Sequence, residues 1–453
     1  MNQKQVSRRE LLKGMGLFAG AAAFGFGLPL PMRAQEAGGT DTPQAAGGTR
    51  RPWYDLGIIG DPVMDEQLLF YLGATWSGMS DIGECLDTAS RITPDDLSSW
   101  PREWQKTAQR VQAMADKSLA AGHRISAGQA YLRASTYYRA ALMHHADPTA
   151  PEMLPMARTS MDCFRKAVDL LSLPAEFVQI PYEGTKLPGW FWRSPVAGPK
   201  APVLIVHQGR DAWAEDNKFI ADAAIKRGYH VLMVHCPGQG MALRELGLPF
   251  RPDWEKVITP IVDFALQIPG VDPDRVALMG LSMGGALATR AAAFDKRIKI
   301  LIVNPGVLNW GKVVTDYLSA ASPELAAAVQ NVETDPKTFN AVMAEFSKVA
   351  PQMQWAITDE MWKHGAKTPA ELVVKLKEFN NEPIVDRVTS RVLVMDGEAE
   401  AWSVGQAKPL YDALKSPKDY MLFTAEDTGL VHTQTGAHAV ATQRLFDWLD
   451  ENM

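Results

Sequence analysis

Cysteine is scarce. The 453-residue chain has three, Cys85, Cys163 and Cys236, too few and too odd in number for a disulfide framework. One bridge at most is left open, and Cys236 reads as a small buried hydrophobe. The nine histidines form no H-E-x-x-H pair and no Cys/His cluster, so neither a metal site nor a cofactor is expected. Basic charge is lacking too. With 46 Lys and Arg against 52 Asp and Glu there is no positive field to hold phosphates, which excludes nucleic acid as an expected partner. The remaining composition, 46% apolar and 22% charged, is that of an ordinary folded protein. Its length allows two domains, or one large domain with an extension.

The N-terminus carries a message of its own. In "SRRELLKGMGLFAGAAAFGFGLPLPMRAQEAGG", Ser7, Arg8, Arg9, Leu11, Leu12 and Lys13 stand as in a twin-arginine export signal, and small residues gather near Ala34. The apolar run is short and broken by glycines and prolines, a poor membrane anchor. Residues 1–34 are therefore expected to be a signal peptide and 35–52 a flexible linker. The mature chain is expected in the periplasm or secreted, with no stable membrane anchor after processing.

From residue 53 to 175 the period is helical. "PREWQKTAQRVQAMADKSLAAG" and "SAGQAYLRASTYYRAALMHH" each carry one apolar stripe, and "PEMLPMARTSMDCFRKAVDLLS" follows a proline break. This predicts a helical domain of its own. From 176 to 453 the pattern changes: "FVQIPYEG" and "LPGWFWRS" read as an antiparallel pair, and "APVLIVHQG" as a buried strand. Strands and helices then alternate, with helices over 216–227 and 253–268 and strands "HVLMVH" and "IKILIVN". A helical insertion over 310–385 holds Met343, Met353, Trp355, Met361 and Trp362. "RVLVMDGEAE", a helix over 405–415, "DYMLFTAED" and the closing helix "AVATQRLFDWLDE" complete the alternation. Such alternation implies a mostly parallel sheet covered by helices, an α/β fold.

Within it, "RVALMGLSMGGALATRAAAF" sets the apolar run Arg275 to Met279, preceded by turn chemistry in "GVDPD", against an alanine-rich helix former. Only Gly280-Leu281-Ser282-Met283-Gly284 is left to reverse the chain, so Ser282 must adopt a cramped backbone that small neighbours permit. This is the G-x-S-x-G strand-to-helix elbow that lifts a nucleophilic hydroxyl above a sheet. A serine needs a base, and the base an acid to fix its tautomer. In this topology they follow in the order Ser, acid, His. Two histidines compete. His432 lies on a loop among Thr433, Thr435 and Gly436, and is favoured; His438 reads as the start of the closing helix. For the acid, "DGEAEAW" offers Asp396, Glu398 and Glu400, with Glu400 favoured because Gly397 would carry the chain outward. The oxyanion donors are expected to be the backbone N–H of Met283 and, from the loop Gln208-Gly209-Arg210-Asp211, that of Arg210. Asp211 and Glu215 read either as substrate-binding residues or as caps of the following helix, with capping favoured.

Together, "AGQAYLRASTYYRAAL", "KRGYHVLMVHCPGQG", "GLSMGG", "GEAE", "HTQTG" and "LFDWLDE" resemble the α/β-hydrolases with an N-terminal helical cap, the group that includes 2,6-dihydroxypseudooxynicotine hydrolase and fungal polyketide chain-shortening hydrolases. The resemblance runs from about residue 53 to the C-terminus. It implies a Ser282, Glu400, His432 triad, a homodimer, and a pocket between cap and sheet for a small molecule. Some such relatives hydrolyse esters and others cleave a carbon-carbon bond beside a ketone. Thr433 departs from the Cys usual after the histidine, which weakens any transfer of substrate identity. The rival readings are a peptidase of the prolyl oligopeptidase type, against which the helical period before residue 173 argues, and a binding protein on the same fold.

Overall fold

The computed structural model describes residues 51–348 and 351–453. The expected export signal and all but the last two residues of the expected linker lie outside the described residues. Asp61 opens the first helix: its carboxylate accepts hydrogen bonds from the N–H groups of Val63 and Met64, while Pro62 takes the first turn. Five helices come first, α1 (Pro62–Gly73), α2 (Ile82–Ala89), α3 (Ser99–Ala120), α4 (Arg124–Ala141) and α5 (Met153–Leu171). After the hairpin β1 (Ala175–Tyr182) and β2 (Thr185–Trp192), the alternation runs β3 (Ala201–His207), α6 (Lys218–Ile225), β4 (His230–Val234), α7 (Gly240–Arg244), α8 (Glu255–Gln267), β5 (Val271–Leu281), α9 (Gly284–Phe294) and β6 (Ile298–Asn304). The insertion is helical, α10 (Trp310–Ala321), α11 (Pro323–Gln330), α12 (Pro336–Ser347), α13 (Pro351–Lys363) and α14 (Pro369–Lys377). The chain closes with β7 (Arg391–Gly397), α15 (Ala407–Ala413), β8 (Lys418–Phe423) and α16 (His438–Asn452).

All eight strands form one sheet in the order β1-β2-β4-β3-β5-β6-β7-β8. The first two pairings in this order, β1 with β2 and β2 with β4, are antiparallel and the rest parallel. The inner strands β3 and β4 are buried along their whole length because both faces are covered. Side-chain alternation divides the interior. Val203 and Ile205 of β3 join the core made with α8, α9 and the insertion, while Leu204 and Val206 face the core made with α3, α4, α5, α6 and α16. The apolar stripes of the N-terminal helices are thus continuous with one face of the sheet. Among the described residues no helix is long and apolar enough to cross a membrane.

One boundary differs from the sequence reading. "VDPD" is a bulge inside β5 rather than a turn before it: Ala201 pairs with Val271 and Val203 already with Val276, so the extra residues loop out of register. The Asp272 carboxylate stabilises the bulge by accepting from the Asp274 N–H and the Arg275 guanidinium.

Candidate active site

The elbow follows from the steric needs of its glycines. A Cβ on Gly280 would stand 2.0 Å from the Gly284 carbonyl oxygen, and one on Gly284 would stand 2.8 Å from that of Gln208. Both contacts are with backbone, which cannot step aside, so the chain turns this tightly only with glycine at both places. Ser282 takes φ 59°, a left-handed conformation that costs about 1–3 kcal/mol in a residue with a Cβ. Its N–H is tied to the Asn304 carbonyl at 2.7 Å, and α9 begins two residues later.

His432 lies in the connection between β8 and α16, and Glu400 just beyond β7. Nε2 of His432 is 2.9 Å from Ser282 Oγ, and Nδ1 is 2.8 Å from each Glu400 oxygen. A carboxylate can only accept, so Nδ1 carries the proton and Nε2 is left to accept from the serine hydroxyl. Glu400 Oε1 also accepts from the N–H groups of Trp402 and Ser403 at 2.8 and 3.0 Å. Burial opposes its ionisation, but the imidazole beside it and these donors outweigh burial and hold its pKa below the usual carboxylate value. For His432 burial works against the cation, and the charge and hydrogen bond of Glu400 overcome it, raising the imidazole above its ordinary value.

The other two acids point elsewhere. Asp396 accepts from Tyr420 Oη at 2.5 Å and from the Gly397 N–H, and Glu398 accepts from the Ala425 N–H. His438 begins α16 and stacks on Phe219 with ring centroids 3.9 Å apart.

Gly209 lies hard against the elbow: a Cβ there would be 2.7 Å from Ser282 Cβ and 2.8 Å from the Met283 nitrogen. Gln239, buried and unforeseen in the sequence, donates through Nε2 to the carbonyls of Gln208 and Gly209, the latter at 3.0 Å. Because the next peptide is trans, the N–H of Arg210 points the opposite way from that held carbonyl, away from Gln239. The Arg210 side chain is occupied separately, by Asp211 at 2.8 Å and Glu360 at 2.9 Å.

Neither Asp211 nor Glu215 caps a helix, correcting the sequence reading. Asp211 bridges Arg210 and Lys363, and although burial opposes ionisation these cations hold its carboxyl well below the usual range. Glu215 accepts from Trp190 Nε1 at 2.6 Å and faces His235 at 3.1 Å; burial is again outweighed and its pKa falls to about 2. The capping carboxylate is Asp216, which accepts from the Trp213 N–H.

Further groups hold the histidine loop. Gln434 accepts from Asn304 Nδ2 at 2.8 Å, tying the loop to the end of β6, and the Ala399 N–H donates to the Leu430 carbonyl. Thr433 and Gln434 both take positive φ. Ser282 and His432 open into a pocket whose wall includes Glu66 and Phe70 of α1, Arg139 of α4, and Trp355 and Trp362 of α13. Of the insertion's marked residues, these tryptophans line the pocket, whereas Met343 and Met353 are buried in the core. Glu66 accepts from Trp402 Nε1 at 2.6 Å, and its other oxygen is buried with no partner among the described residues. Burial lifts its pKa to about 7 against the pull of Trp402 and His432. Among the described residues no three His, Cys, Asp or Glu side chains are grouped so as to hold a metal ion, and the three cysteines are free and buried.

Residues 187–443 match the model of the alpha/beta hydrolase family. Hydrolase LUC6 of Fusarium sp is 33% identical over 399 residues, covering 84% of this chain and 93% of that protein. The 20-hydroxy-prefusarin hydrolase FUS2 of Gibberella moniliformis is 31% identical, covering 87% and 97%. The crystal structure of 2,6-dihydroxy-pseudo-oxynicotine hydrolase shares the fold, with a TM-score of 0.64 at 16% identity over 84% of this chain and 95% of that one. On the family match and the extent of these likenesses, the chain belongs to the alpha/beta hydrolase family and is a hydrolase.

Proposed function

We propose that the protein is a serine hydrolase that cleaves an acyl bond, a carboxylic ester or a carbon-carbon bond next to a ketone, in a small aromatic or alicyclic molecule. One observation carries the reading: an unbroken hydrogen-bond chain from Ser282 through His432 to Glu400, opening into a pocket roofed by tryptophans. In the first half-reaction His432 Nε2 takes the proton of Ser282 as Oγ attacks the carbonyl carbon. The N–H groups of Met283 and Arg210 receive the developing oxyanion. Collapse expels an alkoxide from an ester, or an enolate from a diketone, and His432 returns the proton to it. Water, deprotonated by His432, then hydrolyses the acyl-serine. Glu400 stays ionised throughout and stabilises the imidazolium, a role its lowered pKa supports. The same reading has the mature chain act outside the cytoplasm after twin-arginine export, on the strength of the Arg8-Arg9 signal, and pair as a homodimer.

The test is a screen of aryl esters, lactones and 1,3-diketones on purified mature protein, with Ser282→Ala as control. Turnover of at least one class, abolished in the control, is expected. Peptide p-nitroanilides turned over faster than every ester and diketone would replace this reading with the peptidase one.

A further inference from the structure

Most cations in the wall of the Ser282 pocket are already neutralised. Arg139 pairs with Asp216 at 2.7 Å, Arg210 with Asp211 and Glu360, and Lys363 with Asp211 and Asp359 at 2.6 Å. Arg244, at the C-terminal end of α7, is the exception. Among the described residues, its polar contact is the Pro148 carbonyl, 3.5 Å from Nη1, and its guanidinium carbon lies 4.8 Å from the centre of the Trp362 ring. Its neighbour in the chain, Glu245, is turned outward to Arg158 at 2.8 Å. Asp359, whose field Arg244 feels, is held by Lys363.

A guanidinium offers five N–H donors in a planar fork, and one long contact satisfies little of it. Taking such a cation out of water without a counter-ion is unfavourable; here burial draws its pKa down to about 10. The helix C-terminus and the indole face offset part of that penalty, but neither carries a full negative charge. Arg244 is half-buried and lines the pocket, so an anion held there can reach its fork.

Resting on the proposed hydrolase reading, we infer that Arg244 is an anion-binding residue of the pocket, and that the substrate attacked by Ser282 carries a carboxylate gripped by the Arg244 fork. The planar fork matches a carboxylate in two parallel hydrogen bonds. A single negative charge matches what is left over, because Asp211 and Asp359 already answer Arg210 and Lys363 and Arg244 brings one further positive charge. Trp362 lies against the fork, and Phe70, Trp310 and Trp355 add apolar surface to the wall.

The experiment compares p-nitrophenyl half-esters of succinate, glutarate, adipate and suberate with the neutral p-nitrophenyl esters of the same acyl length. At least one half-esters' kcat/KM should exceed that of its neutral partner roughly tenfold to a hundredfold, the range of a hydrogen-bonded charge pair, mainly through a lower KM. Added salt should shrink the preference, Arg244→Met should bring the ratio near one, and Arg244→Lys should keep part of it. Should Arg244→Met fail to fold, competitive inhibition of the wild type reads the same contact: 3-phenylpropionate should inhibit at least tenfold more tightly than 3-phenylpropanamide. Neutral esters turned over with no half-ester preferred, a preference kept in Arg244→Met, or equal inhibition by acid and amide would each overturn the inference alone. Absence of turnover of every ester would instead overturn the hydrolase reading beneath it.

Discussion

Replacing Gly209 by alanine should cripple turnover although Ser282, His432 and Glu400 are all retained. The added methyl would lie 2.7 Å from Ser282 Cβ and 2.8 Å from both the Leu281 oxygen and the Met283 nitrogen. Carbon atoms in contact settle at about 3.5–4.0 Å, so the loop and the elbow must part by roughly 0.8 Å. Oxyanion donors act within a window of about 2.7–3.1 Å, and a shift of that size takes one out of it. The loss expected is about 2.7–4 kcal/mol of transition-state stabilisation, or 10²–10³-fold in kcat. KM should change far less, because the oxyanion exists only beyond the ground state. Overpacking should also lower stability by about 1–3 kcal/mol. The assay is steady-state kinetics on the best ester of the screen, with the thermal midpoint measured in parallel. Gly198→Ala, whose methyl would meet nothing within 4 Å, is the control. Gly209→Ala with wild-type kcat would refute the placement of the donors.

Glu400→Gln should lower kcat by roughly 10³–10⁴-fold, as when the orienting acid of such a triad is neutralised, while Asp396→Asn and Glu398→Gln should cost far less; equal losses for all three would undo the choice of acid. The base must be neutral to act, and Glu400 raises His432 above the ordinary imidazole value of 6.5. The acid limb of kcat/KM is therefore expected above pH 6.5, and below it in Glu400→Gln; an unmoved limb would contradict the pairing. Stability should fall in acid for a separate reason. Burial lowers the pKa of His207 and His438 to about 4 each, and that of His144 to about 3. Below pH 6.5 the unfolded chain takes protons that these folded histidines refuse, so their contribution is complete above that pH and is lost as the pH falls toward 4, about 3 kcal/mol for each of His207 and His438. Urea midpoints independent of pH over that window would show that these rings are not buried neutral.

Much of the fold was legible because its signals are local. Uninterrupted apolar runs mark the strands from β3 to β6, and glycines at 280 and 284 can be read as a turn before any contact is known. Strand order narrowed the partners of Ser282 to the loops after later parallel strands, which emerge at the same end of the sheet, but left Glu400 to be told from Asp396 and Glu398, and His432 from His438. The groups that hold these residues could not be narrowed in this way. Gln239, Gln434 and Trp402 look like ordinary polar or aromatic residues, and only the folded chain shows which carbonyl or ring each will face. Glu66 is the extreme case, reaching Trp402 across 336 positions of sequence. Asp211 and Glu215 misled for the same reason: near a helix start, capping is the local expectation, and the cations that claim Asp211 include Lys363, 152 residues away.

The most direct measurement is to expose the folded protein to a fluorophosphonate, whose phosphorus is attacked by an activated serine, and to map the adduct by peptide mass. The account predicts a single adduct on Ser282, lost in Ser282→Ala and retained in Ser77→Ala. Folded wild-type protein that stays unlabelled, or that is labelled at another serine, would contradict it.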